Sequence, residues 1–520
     1  MQIADKLVLS GKRGATMRKY FFKTAVLAAL TAMAMPVMAT GVTENTNKET
    51  VTGNGTTKDI TVNGEFIPMT PAEEVVSVDV KWDDMTFTYK ENSKEIWNPQ
   101  THQYENASGI GGWSKTQSGI TVVNHSNVRM GAELSFESTS EAIGNFSSTH
   151  LSVASAAEEA FNNRENAPTE TATFTIGGTI SETSQLGTIT VTLAKESEVN
   201  LEGAELSEYE EKIRAAITEN TTTLAIKTGS VELTSEMGKK ITSALTGTSV
   251  TNIVLIDATS MGQQALQTCN QLVSINALKV TSLAESAMQY CESLVNVNMP
   301  ELTQIMGGYT FRNCDKLENV NMPKLTGIDE YEYYTFDECT SLKNVYMPSL
   351  QTMGVRTFMG CSALESINLP ELVSMGPYGF AQCKNLKYVN LPKLERIDDT
   401  TWEKGSTFAW CESLEEISLP KLDTVYNELF LLDNNLKHVS LPSATSMGQN
   451  PFNRCTLIET ITFEKVIESV DKEYSFSGFD TKNVVLTLNK DQGDVGEYPT
   501  VFGTNGTFCG QTFKEVKKAE

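Results

Sequence analysis

The sequence predicts a two-part chain: an all-β sandwich, then a solenoid whose coils share a parallel β-sheet. Three observations carry that reading. The second half repeats Cys-x-x-Leu-x-x-Val-x-Leu-Pro-x-Leu-x-x-Ile, with a loop ending in Phe-x-x before the next Cys. Aligned on Cys269, Cys291, Cys314, Cys339, Cys361, Cys383, Cys411, Asp433 and Cys455, the steps are 22, 23, 25, 22, 22, 28, 22 and 22 residues. A unit this short cannot bury an apolar face alone, so successive copies must stack. The first half instead alternates apolar and polar residues in short runs, as half-buried strands do. Between the two, residues 197–247 carry helical patterns where a solenoid needs an end unit to cover its first coil.

In chain order, residues 1–39 read as a secretory signal peptide. Arg18, Lys19 and Lys23 precede the apolar run Thr24–Met35, and Val37 and Ala39 stand at positions −3 and −1 of a cut before Thr40. Met17 opens a better leader than Met1, so residues 1–16 read as a start-site extension. The apolar run is too short for a stable membrane span. No Cys lies near the cut to take a lipid, and the last residues show no apolar tail or sorting motif. The mature chain is therefore expected outside the membrane, secreted or at the cell surface.

Residues 40–72, rich in Thr, Asn, Gly and Glu, predict a flexible linker. Residues 73–196 predict the β-sandwich module, with alternation at Val76–Trp82, Thr86–Tyr89, Ile120–Asn124, Ala132–Phe136, Thr173–Ile176 and Gly187–Leu193. A short helix over Ala154–Phe161 is the one interruption. Trp82, Trp97, Tyr104 and Trp113 read as core plugs and strand pairs, with a carbohydrate platform as the alternative. Residues 197–247 predict a helical N-terminal cap of the solenoid: a helix over Glu208–Ile217 with Ser207 as N-cap, a strand at Thr223–Ile226 and a helix over Ser235–Leu245. Residues 248–478 are the repeats and 479–520 a C-terminal closing unit. That unit opens on Val484–Lys490 and contains an irregular Gly-rich stretch with Cys509.

Within each copy Val-x-Leu predicts a short strand with Val and Leu inward. The residues facing out form two rows, Asn276, Asn298, Asn321, Tyr346, Asn368, Asn390, Ser418, Ser440, Thr462 and Ser274, Asn296, Asn319, Asn344, Ser366, Tyr388, Glu416, His438, Thr460. Like residues stacked along a solenoid form hydrogen-bonded ladders, and a long concave sheet of this kind is also a binding surface; the rows fit both roles. Pro300, Pro323, Pro348, Pro370, Pro392, Pro420 and Pro442 follow the strands and end the ladder, because Pro has no N–H to give. All 9 Cys lie in the repeat half. Side chains of stacked coils run parallel at about 4.8 Å, whereas a disulfide turns two Cβ atoms toward each other. The thiols are therefore expected reduced, buried and structural. With no Cys-x-x-Cys and only 4 His, no metal or other cofactor is expected.

These residues resemble the BspA-like leucine-rich-repeat family of bacterial surface proteins over roughly residues 248–470. The resemblance implies a leucine-rich-repeat solenoid and an extracellular, non-enzymatic interaction protein, adhesin-like, with host matrix, host cells or other bacteria as the class of target. It carries over no catalytic residue and no particular partner.

Two copies exceed the 22-residue unit appreciably, by Asp329–Tyr334 and by Asp398–Gly405. Both insertions fall at the same point of the repeat, three coils or about 15 Å apart, and both combine aromatics with acids. Tyr331, Tyr333, Tyr334 and Trp402 are thus candidate ligand contacts, although exposed loops also tolerate length variation. Tyr346, Asn368 and Tyr388 are the candidates on the sheet face. A formal charge of −24 leaves no basic stripe for nucleic acid. No phosphate-binding Gly loop, His-Glu-x-x-His or Gly-x-Ser-x-Gly occurs. The expected partner is a host extracellular matrix or cell-surface protein or a glycan. The alternatives are a structural spacer of the surface layer without a dedicated ligand and, more remotely, a glycan-active enzyme.

Overall fold

The computed structural model describes residues 5–9, 17–19, 77–87, 89–92, 95–98, 103–106, 109–113, 117–139, 142–156, 167–178, 186–329, 334–397, 405–470, 475–476, 478–496 and 498–519. The expected linker, the apolar run of the expected leader, and Tyr331, Tyr333 and Trp402 lie outside the described residues, as does the larger part of the helix expected at Ala154–Phe161.

The first unit comprises two antiparallel sheets. One orders Asp5–Leu9, Gly187–Lys195, Met130–Ser138 and His150–Val153; the other orders Ala142–Phe146, Thr169–Gly178, Gln117–Asn124, Val78–Trp82 and Met17–Lys19. Because strand side chains alternate, Val78, Val80, Ile120, Val122 and Phe174 of one sheet meet Met130, Ala132, Leu134, Ile189 and Val191 of the other in one core. The rings of Phe87, Phe136 and Phe146 lie 5.8, 5.0 and 5.1 Å from that of Phe174. Buried Asn124 ties the sheet ends together: its Nδ2 donates to the carbonyls of Val128 and Ala154, both at 2.8 Å, and its Oδ1 accepts from the Ser126 N–H at 2.9 Å.

The repeats form a solenoid whose coils hydrogen-bond to their neighbours along three sides. The first side is the long-strand sheet. It runs in parallel register from Ser197–Asn200, Thr223–Lys227 and Asn252–Leu255 through Ser274–Ala277, Asn296–Asn298, Asn319–Asn321 and Asn344–Tyr346. It resumes at Ser366–Asn368 with Tyr388–Asn390, and again from Glu416–Ser418 to Val485–Leu488 and Glu515–Lys518. The second side is a parallel sheet of two-residue strands, from Glu232–Leu233 to Arg396–Ile397 and from Thr424–Val425 to Ser469–Val470. The third is the Phe-bearing turn, where Arg356, Phe358 and Gly360 N–H groups donate to Pro377, Gly379 and Ala381 carbonyls at 3.0, 2.9 and 2.9 Å.

That third side needs two left-handed residues per coil, five and one positions before the Cys. Tyr309, Tyr334, Arg356 and Tyr378 occupy the first position at φ 60°, 69°, 56° and 58°; Asn313, Glu338, Gln382 and Trp410 occupy the second at 58°, 59°, 63° and 62°. Each costs about 1 kcal/mol or more, which the bonds to the next coil offset. Seven phenylalanines, Phe311, Phe336, Phe358, Phe380, Phe408, Phe430 and Phe452, stack beneath this side with consecutive centroids 5.1–5.8 Å apart.

All nine thiols are free and buried. Each of Cys339, Cys361 and Cys383 donates its S–H to the carbonyl of the preceding coil's Phe at 3.2 Å. Burial pushes the Cys269 thiol up to about 11, so such a group is neither a ready nucleophile nor a ready metal ligand. Asp433, fully buried in the same place, accepts the Cys411 N–H at 2.8 Å.

At the start of the solenoid, helices Tyr209–Ala216 and Ser235–Leu245 bury Tyr209, Ile213, Ile241, Ala244 and Leu245. The second begins at Thr234, whose hydroxyl accepts from the Met237 N–H. The first departs from expectation: Ser207 is not its N-cap. A 3₁₀ turn over Leu206–Glu208 precedes it, and Glu208 is the capping residue, without a side-chain cap bond. Ser207 is drawn into that turn, so it cannot take the extended backbone that a capping hydroxyl needs. At the far end Gly503–Thr504 pairs antiparallel with Glu515–Lys518 and closes the long-strand sheet.

Candidate functional site

The outward face of the long-strand sheet carries two rows of polar side chains. Its rows form ladders from coil to coil. Asn319 Nδ2 donates to Asn296 Oδ1 and Asn344 Nδ2 to Asn319 Oδ1, both at 2.7 Å. In the second row Asn298 donates to Asn276 at 3.1 Å, Asn321 to Asn298 at 2.7 Å and Asn390 to Asn368 at 2.8 Å. Asn298, Asn319, Asn321, Asn344 and Asn390 thus each give one N–H to the preceding coil. The borders of the strip carry Glu and Lys on alternate coils. Lys343–Glu318, Lys387–Glu365 and Lys437–Glu415 pair at 3.2, 3.0 and 2.8 Å on one side, and Lys324–Glu301 and Lys393–Glu371 at 2.7 and 2.6 Å on the other. Such exposed pairs add little stability. They do cancel charge at the borders, so the strip between them presents amide, hydroxyl and aromatic groups.

The strip divides in two. Asn276, Asn298 and Asn321 are 1%, 1% and 3% exposed because the two-sheet unit lies over them. Asn298 Nδ2 donates to Ser148 Oγ at 2.8 Å, Asn321 Nδ2 donates to the Ser147 carbonyl at 2.7 Å, and the Tyr346 hydroxyl lies 3.5 Å from Thr175 Oγ1. From Tyr346 onward the face opens: Asn368 and Asn390 are exposed, and Tyr388 is 65% exposed. Three of the sequence candidates, Tyr346, Asn368 and Tyr388, thus share one face on successive strands.

Tyr334 lies on a different side, in the Phe-bearing turn. Its ring stacks on Tyr309 at 5.2 Å, and the guanidinium groups of Arg312 and Arg356 lie 4.9 and 5.1 Å from its centre. Arg356 also covers Tyr378 at 5.0 Å, and Arg312 pairs with Asp337 at 2.9 Å. The chain therefore builds a Tyr–Arg stack across four coils at the base of the first insertion. Sequence reasoning missed Arg312 and Arg356; the signal available was Tyr or Arg recurring five residues before the Cys in three successive copies, Tyr309, Tyr334 and Arg356, and then Tyr378.

The position of the two-sheet unit is set at its junction with the solenoid, which also escaped the sequence reading. Only Glu196 separates Gly187–Lys195 from Ser197–Asn200. Its buried carboxylate accepts from His150 Nε2 at 2.6 Å and from the Ser152 hydroxyl, while Glu133 meets His150 Nδ1 at 2.6 Å. Burial alone would lower the His150 pKa, but the charges and hydrogen bonds of Glu133 and Glu196 outweigh it and raise it to about 10. Arg129 adds a bond to Glu198 on the first solenoid strand at 2.7 Å. A Cβ at Gly131 would lie 2.4 Å from Glu196 Oε1, so glycine makes room for the carboxylate.

Among the described residues, no group of three or more His, Cys, Asp or Glu could hold a metal ion, and no helix is long and apolar enough to cross a membrane.

Comparison with known proteins matches the family described as BspA type leucine rich repeat region, in 6 copies over residues 211–315, 238–365, 281–407 and 374–492. No curated protein sequence matches. Similar solved structures include a leucine-rich repeat protein from Bacteroides ovatus, at 21% identity over 46% of this chain and 73% of that one, TM-score 0.34. A leucine rich repeat protein of T. pallidum shows 22% identity over 32% and 78%, TM-score 0.27. A leucine rich cell surface protein from Faecalibacterium prausnitzii shows 18% over 52% and 84%, TM-score 0.26.

Proposed function

Because the chain belongs to the BspA-type leucine-rich repeat family, we propose that it is a secreted or cell-surface bacterial protein that binds a protein or glycan partner and catalyses no reaction. The two-sheet unit is read as a β-sandwich that accompanies the repeats. The observation that carries the proposal is the open strip from Tyr346 through Asn368, Tyr388 and Asn390, uncharged along its middle and exposed over several coils. A spacer needs no such strip, since a buried or charge-saturated face would stack as well. Tyr388 in particular offers an aromatic anchor that no packing role explains. The target class is an extracellular matrix protein, a cell-surface protein or a glycan.

The spacer reading keeps one supporting observation, the Asn ladders that satisfy half of their own donors. Surface plasmon resonance of the mature chain over immobilised collagen, fibronectin, mucin and bacterial cell-wall glycan separates the two. Saturable binding that Tyr388→Ala weakens supports the binding reading. Absence of binding on every surface leaves the spacer.

A further inference from the structure

The covered half of the strip contains a worked example of what its amides bind. The corner between Ala142–Phe146 and His150–Val153 places two adjacent serines on two adjacent coils. Asn321 gives its second N–H to the Ser147 carbonyl, and Asn298 gives its second N–H to the Ser148 hydroxyl. The corner is held in shape from behind: the Ser147 N–H donates to the Thr173 carbonyl, Ser147 Oγ accepts the Thr173 N–H, and Ser148 Oγ donates to the His150 carbonyl. Both bonds join uncharged groups. A row of amides one coil apart thus matches a turn that presents one main-chain carbonyl and one hydroxyl.

The same pair of amides recurs in the open half. Asn390 donates to Asn368 at 2.8 Å as Asn321 does to Asn298, and both stand on neighbouring strands in register. That bond uses one N–H of Asn390 and none of Asn368, and both side chains are exposed. Tyr388 stands two residues before Asn390 on the same strand and face, and the row that joins the two halves passes through Tyr346, which already touches Thr175.

We propose that Asn368 and Asn390, with Tyr388 beside them, form a second site for an uncharged protein turn with adjacent serines or threonines, equivalent to the one that Ser147 and Ser148 fill in the covered half. This rests on the interaction-protein reading above and specifies its partner: a protein segment that offers a carbonyl and a hydroxyl about one coil apart, with an apolar group to lie on Tyr388.

The test is fluorescence anisotropy of the intact chain with a labelled cyclic peptide that spans residues 145–150, Asn-Phe-Ser-Ser-Thr-His. Saturable binding is expected, weakened about tenfold or more when both serines of the peptide become Ala, since the lost hydroxyl bond and corner geometry are worth about one decade. Asn390→Ser and, separately, Tyr388→Ala in the protein should each weaken binding about threefold or more, with circular dichroism unchanged. Absence of peptide binding overturns the inference, as does binding indifferent to both substitutions. A matrix protein that binds through Asn390 while the peptide does not would overturn this inference and leave the broader function standing. An oligosaccharide that displaces nothing but binds at Tyr388 would replace the protein turn by a glycan.

Discussion

Asn298 and Ser148, 150 residues apart in sequence, share a 2.8 Å hydrogen bond buried between the two-sheet unit and the solenoid. That bond belongs to the contact by which the two-sheet unit covers the amide rows, and the covering decides which part of the face is exposed. The covering is not a perfect match. Asn276 Nδ2 and Asn321 Oδ1 are buried without a hydrogen-bond partner in the protein, a cost of about 1–3 kcal/mol each. The cover must therefore be held mainly elsewhere, and the junction at Glu196 is where the strongest bonds lie.

His150→Gln is predicted to destabilise the two-sheet unit by about 3–5 kcal/mol, because it leaves the buried Glu196 carboxylate without its cationic partner. The pH dependence follows from the same residue. Its folded pKa, about 10, exceeds the ordinary histidine value of 6.5 expected in the unfolded chain. The contribution is therefore complete below the unfolded value and is lost as pH rises toward the folded one. Urea unfolding between pH 6 and pH 10 should show the midpoint falling in the wild type, with a flatter profile in His150→Gln. A wild-type profile as flat as that of the variant would rule out the ion pair.

Asp433 should act as a neutral acid in a row of thiols. Burial raises its pKa well above the usual carboxylate value, and its Oδ2 is buried without a partner. Protonated, it can donate to the carbonyl of Phe408, the acceptor that the repeat register assigns to its position. A raised folded pKa makes stability complete below the unfolded value of 3.8 and progressively lost as pH rises through the folded one. Asp433→Cys is thus expected to stabilise the solenoid at pH 7 by about 1–3 kcal/mol, with the advantage shrinking toward pH 4. Thermal unfolding at the two pH values checks it; equal gains at both would show that ionisation is not the cause.

The insertions and the Tyr–Arg stack should separate by phenotype. Tyr334→Ala removes the ring between Arg312 and Arg356, and should cost about 1–2 kcal/mol of stability. Tyr331→Ala, Tyr333→Ala and Trp402→Ala together are predicted to leave stability nearly unchanged and to weaken partner binding about tenfold or more. Differential scanning calorimetry and the plasmon resonance assay read the two quantities independently. A large loss of stability in the triple variant would make these aromatics part of the core.

The repeat was legible in the sequence because its signal is redundant: the buried residues Leu364, Ile367, Leu369, Leu372 and Met375 each have an apolar counterpart in both neighbouring coils. The reduced thiols followed from stacking geometry alone. The left-handed residues were not legible, because Tyr378, Glu338 or Trp410 in that conformation carries no glycine to mark it; the backbone is held there by bonds to the next coil. The division of the amide face was hidden for a different reason. Asn298 and Asn368 occupy the same place in the repeat, and only a contact with Ser148, far away in sequence, buries one and leaves the other open. His150 and Glu196 gave no local pattern either, since they meet across 46 residues.

The most direct test of this account is a double-mutant cycle on Asn298→Ala and Ser148→Ala, followed by urea unfolding of the intact chain. If the two-sheet unit lies on the amide rows, the two changes are coupled, and the double variant differs from the sum of the singles by about 0.5–1.5 kcal/mol. Strictly additive effects would mean that the two residues do not meet, and that the whole strip from Asn276 onward is open to a partner.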